Sequence, residues 1–334
     1  MLHGDKGMNK PLYTLFIELA RGVRISHDGI PAASLPFNKN HKIGVNEDGA
    51  PMFFVKTSRT MDAKFVELDL IRVRHNAVCC IYEEKATARD VYTIIELRNA
   101  NIDYAKYFIE VVGLLLKQLP ILPSPEQLDE ELKKLTALFK CLNEPARKTI
   151  QGLWAELFLI ARSKNPEYLV GAWHVSPEDR YDFNDGINKI EVKSSSRDAR
   201  IHRFSLTQLS DVAIKNLIVA SVFVLPSGKG SSVFDLKEII DSRVKCPDLR
   251  LKVAKIIAQT LGADFIKAGE LHYDDMIAKS TLRFYRARDI PTIAIESVPH
   301  EISGVRFDSD LSKVAPIRRN MQQNSLIRSA WYGV

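Results

Sequence analysis

With 334 residues, the chain is long enough for two or three packed units, because a single core rarely grows past roughly 250 residues. Apolar residues make up 46% and charged residues 26%, a balance that excludes a disordered or fibrous chain and fits a soluble globular one. Lys and Arg outnumber Asp and Glu by 47 to 41, a mild excess that suits a polyanionic partner without requiring one.

The opening MLHGDKGMNK carries no apolar run of the secretory kind. Strands are predicted over 41–46 and 52–56, flanking the turn residues Glu47-Asp48-Gly49. The β-rich pattern continues over 65–74, 77–83 and 91–97, with His75-Asn76 as a turn. Cys79, Cys80, Cys141 and Cys246 form no C-x-x-C pair and have no histidines at zinc-finger spacing. A reduced, intracellular protein without structural zinc is expected. Helices follow over 103–118 and 125–141, the second started by Ser124 ahead of Pro125 and Glu126. The most apolar segment, 111–122, is interrupted by Lys117 and Pro120 and is too short to span a bilayer. A cytoplasmic location with no membrane partner is the expectation.

A helix is predicted over 147–163, where Ile150, Leu153, Trp154, Leu157, Ile160 and Ala161 recur at helical spacing. Strands are predicted over 172–183, 189–194 and 200–204, then a helix over 205–215. The run LIVASVFVL from Leu217 to Leu225 reads as a strand buried on both faces. Helices at 235–243 and 249–261 and strands at 282–288 and 304–308 complete the pattern. The polar, Gly-containing segment 226–232 marks the loosest internal boundary. The expected division is a β-rich N-terminal module (1–100), a helical connector (101–144), a catalytic core (145–226) and an α+β C-terminal region (227–334). No repeat or low-complexity tract is present.

The segment Asn188-Lys189-Ile190-Glu191-Val192-Lys193-Ser194 carries the chemistry. As a strand it turns Ile190 and Val192 to one side and Glu191 and Lys193 to the other. Asn184-Asp185-Gly186 joins it to Tyr181-Asp182-Phe183 through strong turn residues. A two-residue turn at Asp185-Gly186 sets Asp182 opposite Lys189, on the face of Glu191 and Lys193. Asp182 and Glu191 are then diagonal neighbours with Cα atoms roughly 7–8 Å apart. A slip of one residue would carry Asp182 to the other face. Two carboxylates so placed can share a divalent cation, which supplies charge stabilisation and an activated water for phosphodiester hydrolysis. A lysine beside them can orient that water or stabilise the developing negative charge. Glu-x-Lys alone recurs by accident. The buried partners Ile190 and Val192, the aspartate across a hairpin and the helix–three strands–helix–strand order give it weight.

The stretch GLWAELFLI, followed by DFNDGINKIEVKSSS and HRFSLTQL, resembles the PD-(D/E)xK superfamily of restriction-endonuclease-like folds. The layout G-L-x-x-E-L, D-F, E-V-K-S and H-x-x-S-x-x-Q-L, from Gly152 to Leu209, is similar to a family of nucleases from bacterial phage-defence gene clusters. The β-rich beginning and the segment FYRARDIPTI also resemble that family, so the likeness extends over most of the chain. It implies an α/β fold with an αβββαβ core, Mg²⁺ dependence with Mn²⁺ as a substitute, and DNA as substrate. It also implies Asp182, Glu191 and Lys193 as catalytic residues, Asp182 and Glu191 as metal ligands, and Glu156 as an additional acidic member. Tyr181 stands where the motif has proline, a position with no chemical role.

Several residues carry a plainer reading beside the functional one. Glu156 lies at the edge of an apolar stripe, as a boundary glutamate would. Gln208 fits a capping box begun by Ser205, although a helix start there could also receive a phosphate. His202 could face a substrate or pack into the fold. Lys189, Arg197, Arg200 and Arg203 suit phosphate contacts or simple solvation. Ser227-Gly228-Lys229-Gly230-Ser231 is not a phosphate-binding loop, since Gly230 stands where Ser or Thr should follow the lysine. His272-Tyr273-Asp274-Asp275 reads as a surface loop or helix start. The expected function is metal-dependent DNA cleavage in restriction or phage defence. The alternatives are a catalytically silent DNA-binding or assembly subunit, or a nuclease acting on RNA. Expected partners are DNA and either a second copy of the chain or the subunits of a defence complex.

Overall fold

The computed structural model describes residues 11–22, 29–60, 65–83, 86–175, 179–196, 199–209, 216–318 and 325–330. The chain divides into two compact units, Met1–Asn143 and Glu144–Val334. The segment 227–334, expected as a separate region, belongs to the same unit as 145–226. Both units mix helices and sheet, as the expected α/β class requires.

The first unit begins with helix α1 (Leu12–Gly22) and strands β1 (Ile30–Leu35), β2 (Asn38–Val45) and β3 (Pro51–Val55). It continues with the two-residue β4 (Val66–Glu67) and the long hairpin of β5 (Ile71–Glu83) and β6 (Ala86–Leu97). Helices α2 (Ile102–Gln118) and α3 (Pro125–Cys141) end it. The strands run in the order β1-β2-β3-β6-β5-β4, and β1 also pairs in parallel with β5, which closes the sheet on itself. Around the closed ring β1-β2-β3-β6-β5 every other pairing is antiparallel, and an odd number of strands forces one parallel seam. β3 is buried at every position because both its faces are covered. Met52 and Phe54 point inward with Ala32, Cys79, Ile81, Tyr92 and Ile94. Phe53 meets Phe108 of α2 at 5.7 Å between ring centroids, and Phe108 meets Phe139 of α3 edge-on at 5.9 Å. His75-Asn76, read as a turn, is instead a bulge within continuous β5, where the register shifts between Arg74 and Ala77. Asn76 takes a φ of +53°, a conformation asparagine tolerates better than most residues. Helix α3 begins as its sequence predicts, with a reciprocal capping box between Ser124 and Gln127.

The second unit is built on α4 (Ile150–Arg162), which Thr149 caps by accepting from Gly152 N–H at 3.1 Å. Then come α5 (Pro166–Ala172), β7 (Phe183–Asn184), β8 (Lys189–Ser195), β9 (Ile201–Ser205), α6 (Leu206–Leu209), β10 (Leu217–Phe223) and β11 (Pro226–Ser231). Helices α7 (Val233–Arg243), α8 (Pro247–Leu261), α9 (Phe265–Glu270) and α10 (Asp275–Thr281), strands β12 (Arg283–Arg286) and β13 (Arg306–Asp310), and helix α11 (Ser325–Ala330) complete it. The central sheet has the order β12-β10-β8-β7, with β8 and β10 parallel. β9 leaves that sheet and pairs with β13. Helix α4 is buried at every position except Gln151, Gly152 and Arg162, because it packs on β8 and is covered by α5, α7 and α8. Trp154 fixes it in place, stacked on Phe158 at 5.0 Å and donating its indole N–H to the Ser231 carbonyl at 2.7 Å.

Three expectations need correction in this unit. Of the strand expected over 172–183, Ala172 ends a helix, Trp173 forms an isolated bridge and Phe183 begins β7, while residues 176–178 lie outside the described residues. The helix is α5, which Asn165 caps by accepting from Tyr168 N–H and whose first turn Pro166 takes. The hairpin loop before β8 holds four residues, not two, because the Asp185 N–H donates to the Asn188 carbonyl while its carboxylate accepts from Ile187 and Asn188 N–H groups. The polar segment 226–232, expected as a boundary, is largely strand β11, which bridges to Tyr273. Of the helix expected over 205–215, α6 covers Leu206–Leu209, and residues 210–215 lie outside the described residues. Asp274 caps α10, in keeping with the helix-start reading of that segment. Among the described residues, no helix is long and apolar enough to cross a membrane.

Gly262 ends α8 with a φ of +48°, and the Glu144 carbonyl accepts from Ala263 N–H where a side chain at 262 would stand. A Cβ there would lie 2.1 Å from that oxygen. Gly262→Ala is therefore expected to destabilise this unit by on the order of 2 kcal/mol. Denaturant melts of the full chain check this, and an unchanged midpoint would contradict the packing described.

Candidate metal and catalytic centre

β8 alternates as its sequence predicts, with Ile190 in the core and Glu191 and Lys193 on the other face. The observed hairpin pairs Phe183 with Ile190 and Asn184 with Lys189, and continuing that register sets Asp182 opposite Glu191. The offset from the expected pairing is two residues, so the face is preserved. The isolated bridge between Trp173 and Phe183, with their rings stacked at 6.5 Å, extends the hairpin on its outer side. His174 N–H donates to the Asp182 carbonyl at 2.9 Å, which carries His174 to the same place.

Glu156, on α4, is 3% exposed and points at this face, so the boundary reading of that residue is set aside. Its Oε2 accepts from Trp173 Nε1 at 2.7 Å and lies 3.0 Å from His174 Nε2. Its Oε1 accepts from Lys148 Nζ at 2.9 Å, and the same ammonium donates to Asp182 Oδ1 at 2.8 Å. Asp182 Oδ2 accepts from Val192 N–H at 2.7 Å. Glu191 Oε1 accepts from Lys193 Nζ at 2.8 Å and from Gln208 Nε2 at 2.9 Å. Gln208 also closes a capping box with Ser205, so the capping reading holds and one side chain serves both ends.

Burial, reinforced by the carboxylates of Glu156 and Glu191, pushes the Asp182 carboxyl well above its usual range, against the pull of Lys148. Burial would raise Glu156 as well, but His174, Lys148 and Trp173 outweigh it and hold Glu156 ionised. Burial would lower the Lys148 ammonium, yet Asp182 and Glu156 together raise it. Three buried carboxylates in contact with one another's field call for cations. Ligand atoms of Glu156, His174 and Asp182 lie within 4.8 Å of one another, so the donor set suits a divalent metal ion.

The residues expected to touch nucleic acid divide into groups. Lys189 stands at the start of β8 with its Nζ 5.3 Å above the Tyr181 ring, and Gln208 reaches Glu191. His202 is 3% exposed and bonded to Ser221 Oγ at 2.7 Å, so it packs rather than faces a substrate. Arg200 is held by the Ser221 hydroxyl and carbonyl and by the Thr281 carbonyl, across the face of Phe223. Arg203 pairs with Asp308, its cross-strand partner on β13, through two hydrogen bonds of 2.9 and 3.1 Å. Arg197 lies outside the described residues. Sequence reasoning missed Lys148, Trp173 and His174. No spacing links them to the motif, because a helix cap and a bridge outside the main strands position them.

Burial, with Lys193 and Arg200 nearby, lowers the His202 ring to about 4. Its folded value lies below the unfolded 6.5, so the stability carried by the neutral ring is fully present above pH 6.5. That stability is lost as pH falls toward 4. Proton NMR of the ring should report a midpoint near the lower value, and His202→Gln should flatten the acid loss of stability. A midpoint near 6.5 would contradict the buried placement.

The model of a family described as "Putative PD-(D/E)XK family member, (DUF4420)" matches residues 35–312. No curated protein and no solved structure matches the chain. The matched span runs from the end of β1 past β13 and includes every residue of the centre described above. The chain belongs to this PD-(D/E)XK family, whose likeness its own motifs carry.

Proposed function

We propose that the protein is a metal-dependent nuclease that hydrolyses phosphodiester bonds in DNA. The observation that carries this reading is the convergence of Asp182, Glu191, Glu156 and Lys193 on one buried, anionic face. Asp182 and Glu156 would hold the ion, with Glu191 beside them and His174 spent on Glu156 Oε2 as a hydrogen-bond partner rather than a ligand, and that carboxylate set favours Mg²⁺, with Mn²⁺ as a substitute. When bound, such an ion supplies charge stabilisation and a more acidic water. The chain's own residues do the rest. Val192 N–H, Trp173 and His174 orient the carboxylates, and Gln208 steadies Glu191. Lys193, over the Phe204 ring at 5.1 Å, presents an ammonium to a phosphate or to the attacking water.

One such centre hydrolyses one strand, so we propose that a second copy or a larger assembly completes a double-strand break. A cytoplasmic role in restriction or phage defence is part of the same proposal. Plasmid, linear and single-stranded DNA and RNA, each with Mg²⁺ or Mn²⁺, test the activity. Asp182→Asn and Glu191→Gln are expected to lower cleavage by at least about a hundredfold, the usual scale for losing an electrostatic contact to a transition state. Lys193→Ala should lose cleavage while retaining DNA affinity, because it is one cation among many for binding. Undiminished cutting by the carboxylate variants would remove the site. Binding without cleavage by the unaltered protein would favour an assembly role, and cleavage confined to RNA would change the substrate.

A further inference from the structure

Glu156 and Asp182 each have one oxygen committed to donors built into the fold. Glu156 Oε2 serves Trp173 and His174, and Asp182 Oδ2 serves the backbone of β8. The two remaining oxygens, Glu156 Oε1 and Asp182 Oδ1, are both taken by a single group, Lys148 Nζ, at 2.9 and 2.8 Å. Lys148 lies just ahead of the Thr149 cap of α4, so its backbone is fixed while its long stem is not. Its side chain keeps 25% of its surface exposed, against 4% for Glu156 and 9% for Asp182.

We propose that Lys148 is a resident cation that competes with the divalent metal for Glu156 Oε1 and Asp182 Oδ1, and so sets the metal affinity of the centre. This rests on the metal-centre reading above. A metal ion coordinated by those oxygens would stand within a few ångströms of the ammonium, where like charges repel strongly in a buried setting. Trp173, His174 and the backbone of β8 hold the other two oxygens, which leaves Glu156 and Asp182 no other pair to offer a metal. A lysine is suited to the exchange: it is a compact charge on a flexible stem, with a partly open path to solvent. In the lysine-bound form it also keeps Glu156 and Asp182 paired, so the cluster does not depend on metal to stay packed.

Two measurements on the full chain test the proposal. In the unaltered protein, acetylation of Lys148 by an N-hydroxysuccinimide ester is followed by peptide mass spectrometry with and without Mn²⁺. Metal should speed labelling of Lys148 several-fold; unchanged or slower labelling under saturating Mn²⁺ would overturn the proposal. In Lys148→Met, calorimetric titration should give Mn²⁺ binding at least tenfold tighter than in the unaltered protein. Equal or weaker binding by a variant that melts normally would also overturn it. If the variant does not fold, the labelling result on the unaltered protein decides. Mn²⁺ binding with Lys148 unmoved defeats this proposal alone, whereas no Mn²⁺ binding to the unaltered protein defeats the metal-centre reading with it.

Discussion

Three carboxylates, those of Glu156, Asp182 and Glu191, lie 3–6% exposed on one face of the second unit, and the structure around them answers to that charge. Buried anions repel one another unless donors and cations are supplied at fixed positions. The supply comes from every element nearby: Lys148 ahead of α4, Trp173 and His174 after α5, Val192 N–H within β8, Lys193 on β8 and Gln208 on α6. A core carrying this much charge would be hard to justify as a purely structural choice, because apolar packing of similar volume is often at least as stable.

What holds the carboxylates in range is ordinary packing. Trp154 and Leu153 bury the far side of α4, which turns Glu156 toward β8. The parallel pairing of β8 with β10 buries Ile190 beside Ile218, which turns Glu191 and Lys193 the other way. The four-residue loop at Asp185–Asn188 then fixes the register of Asp182, with Gly186 at a φ of +91° and Asp185 anchoring two amides. Tyr168 reinforces that loop by donating to Asp185 Oδ2 at 2.6 Å.

The local parts of this arrangement were legible in the sequence, and the non-local parts were not. The period-two alternation of Ile190, Glu191, Val192 and Lys193 states its faces outright, and the Asp185-Gly186 pair states that the chain reverses. The length of the loop was misjudged, but parity depends only on an even offset, so Asp182 still reached the right side. Helix α3 was read to its ends because its cap and proline are written in adjacent residues. Helix α5 is not legible although Asn165 and Pro166 announce it, since its 7 residues are too few to display a helical period. Lys148 and His174 had no local signature, because their roles arise from contacts to residues 8 to 34 positions away in the chain. The closure of β1 on β5 is of the same kind, a pairing that no periodicity records.

The basic residues of 200–203 make the same point about charge. Read along the chain, Arg200, His202 and Arg203 suggested a surface for phosphates. In the fold β9 stands apart from the central sheet, and it needs polar ties to stay there. Arg200 and His202 both reach Ser221 on β10, while Arg203 reaches Asp308 on β13, so the strand is held from both sides. Between those ties sits Phe204, fully buried, with the Lys193 ammonium 5.1 Å above its ring. Arg200, His202 and Arg203 thus serve the centre indirectly: they fix the aromatic surface on which its lysine rests, and a lysine held by a ring and a carboxylate is aimed rather than merely near.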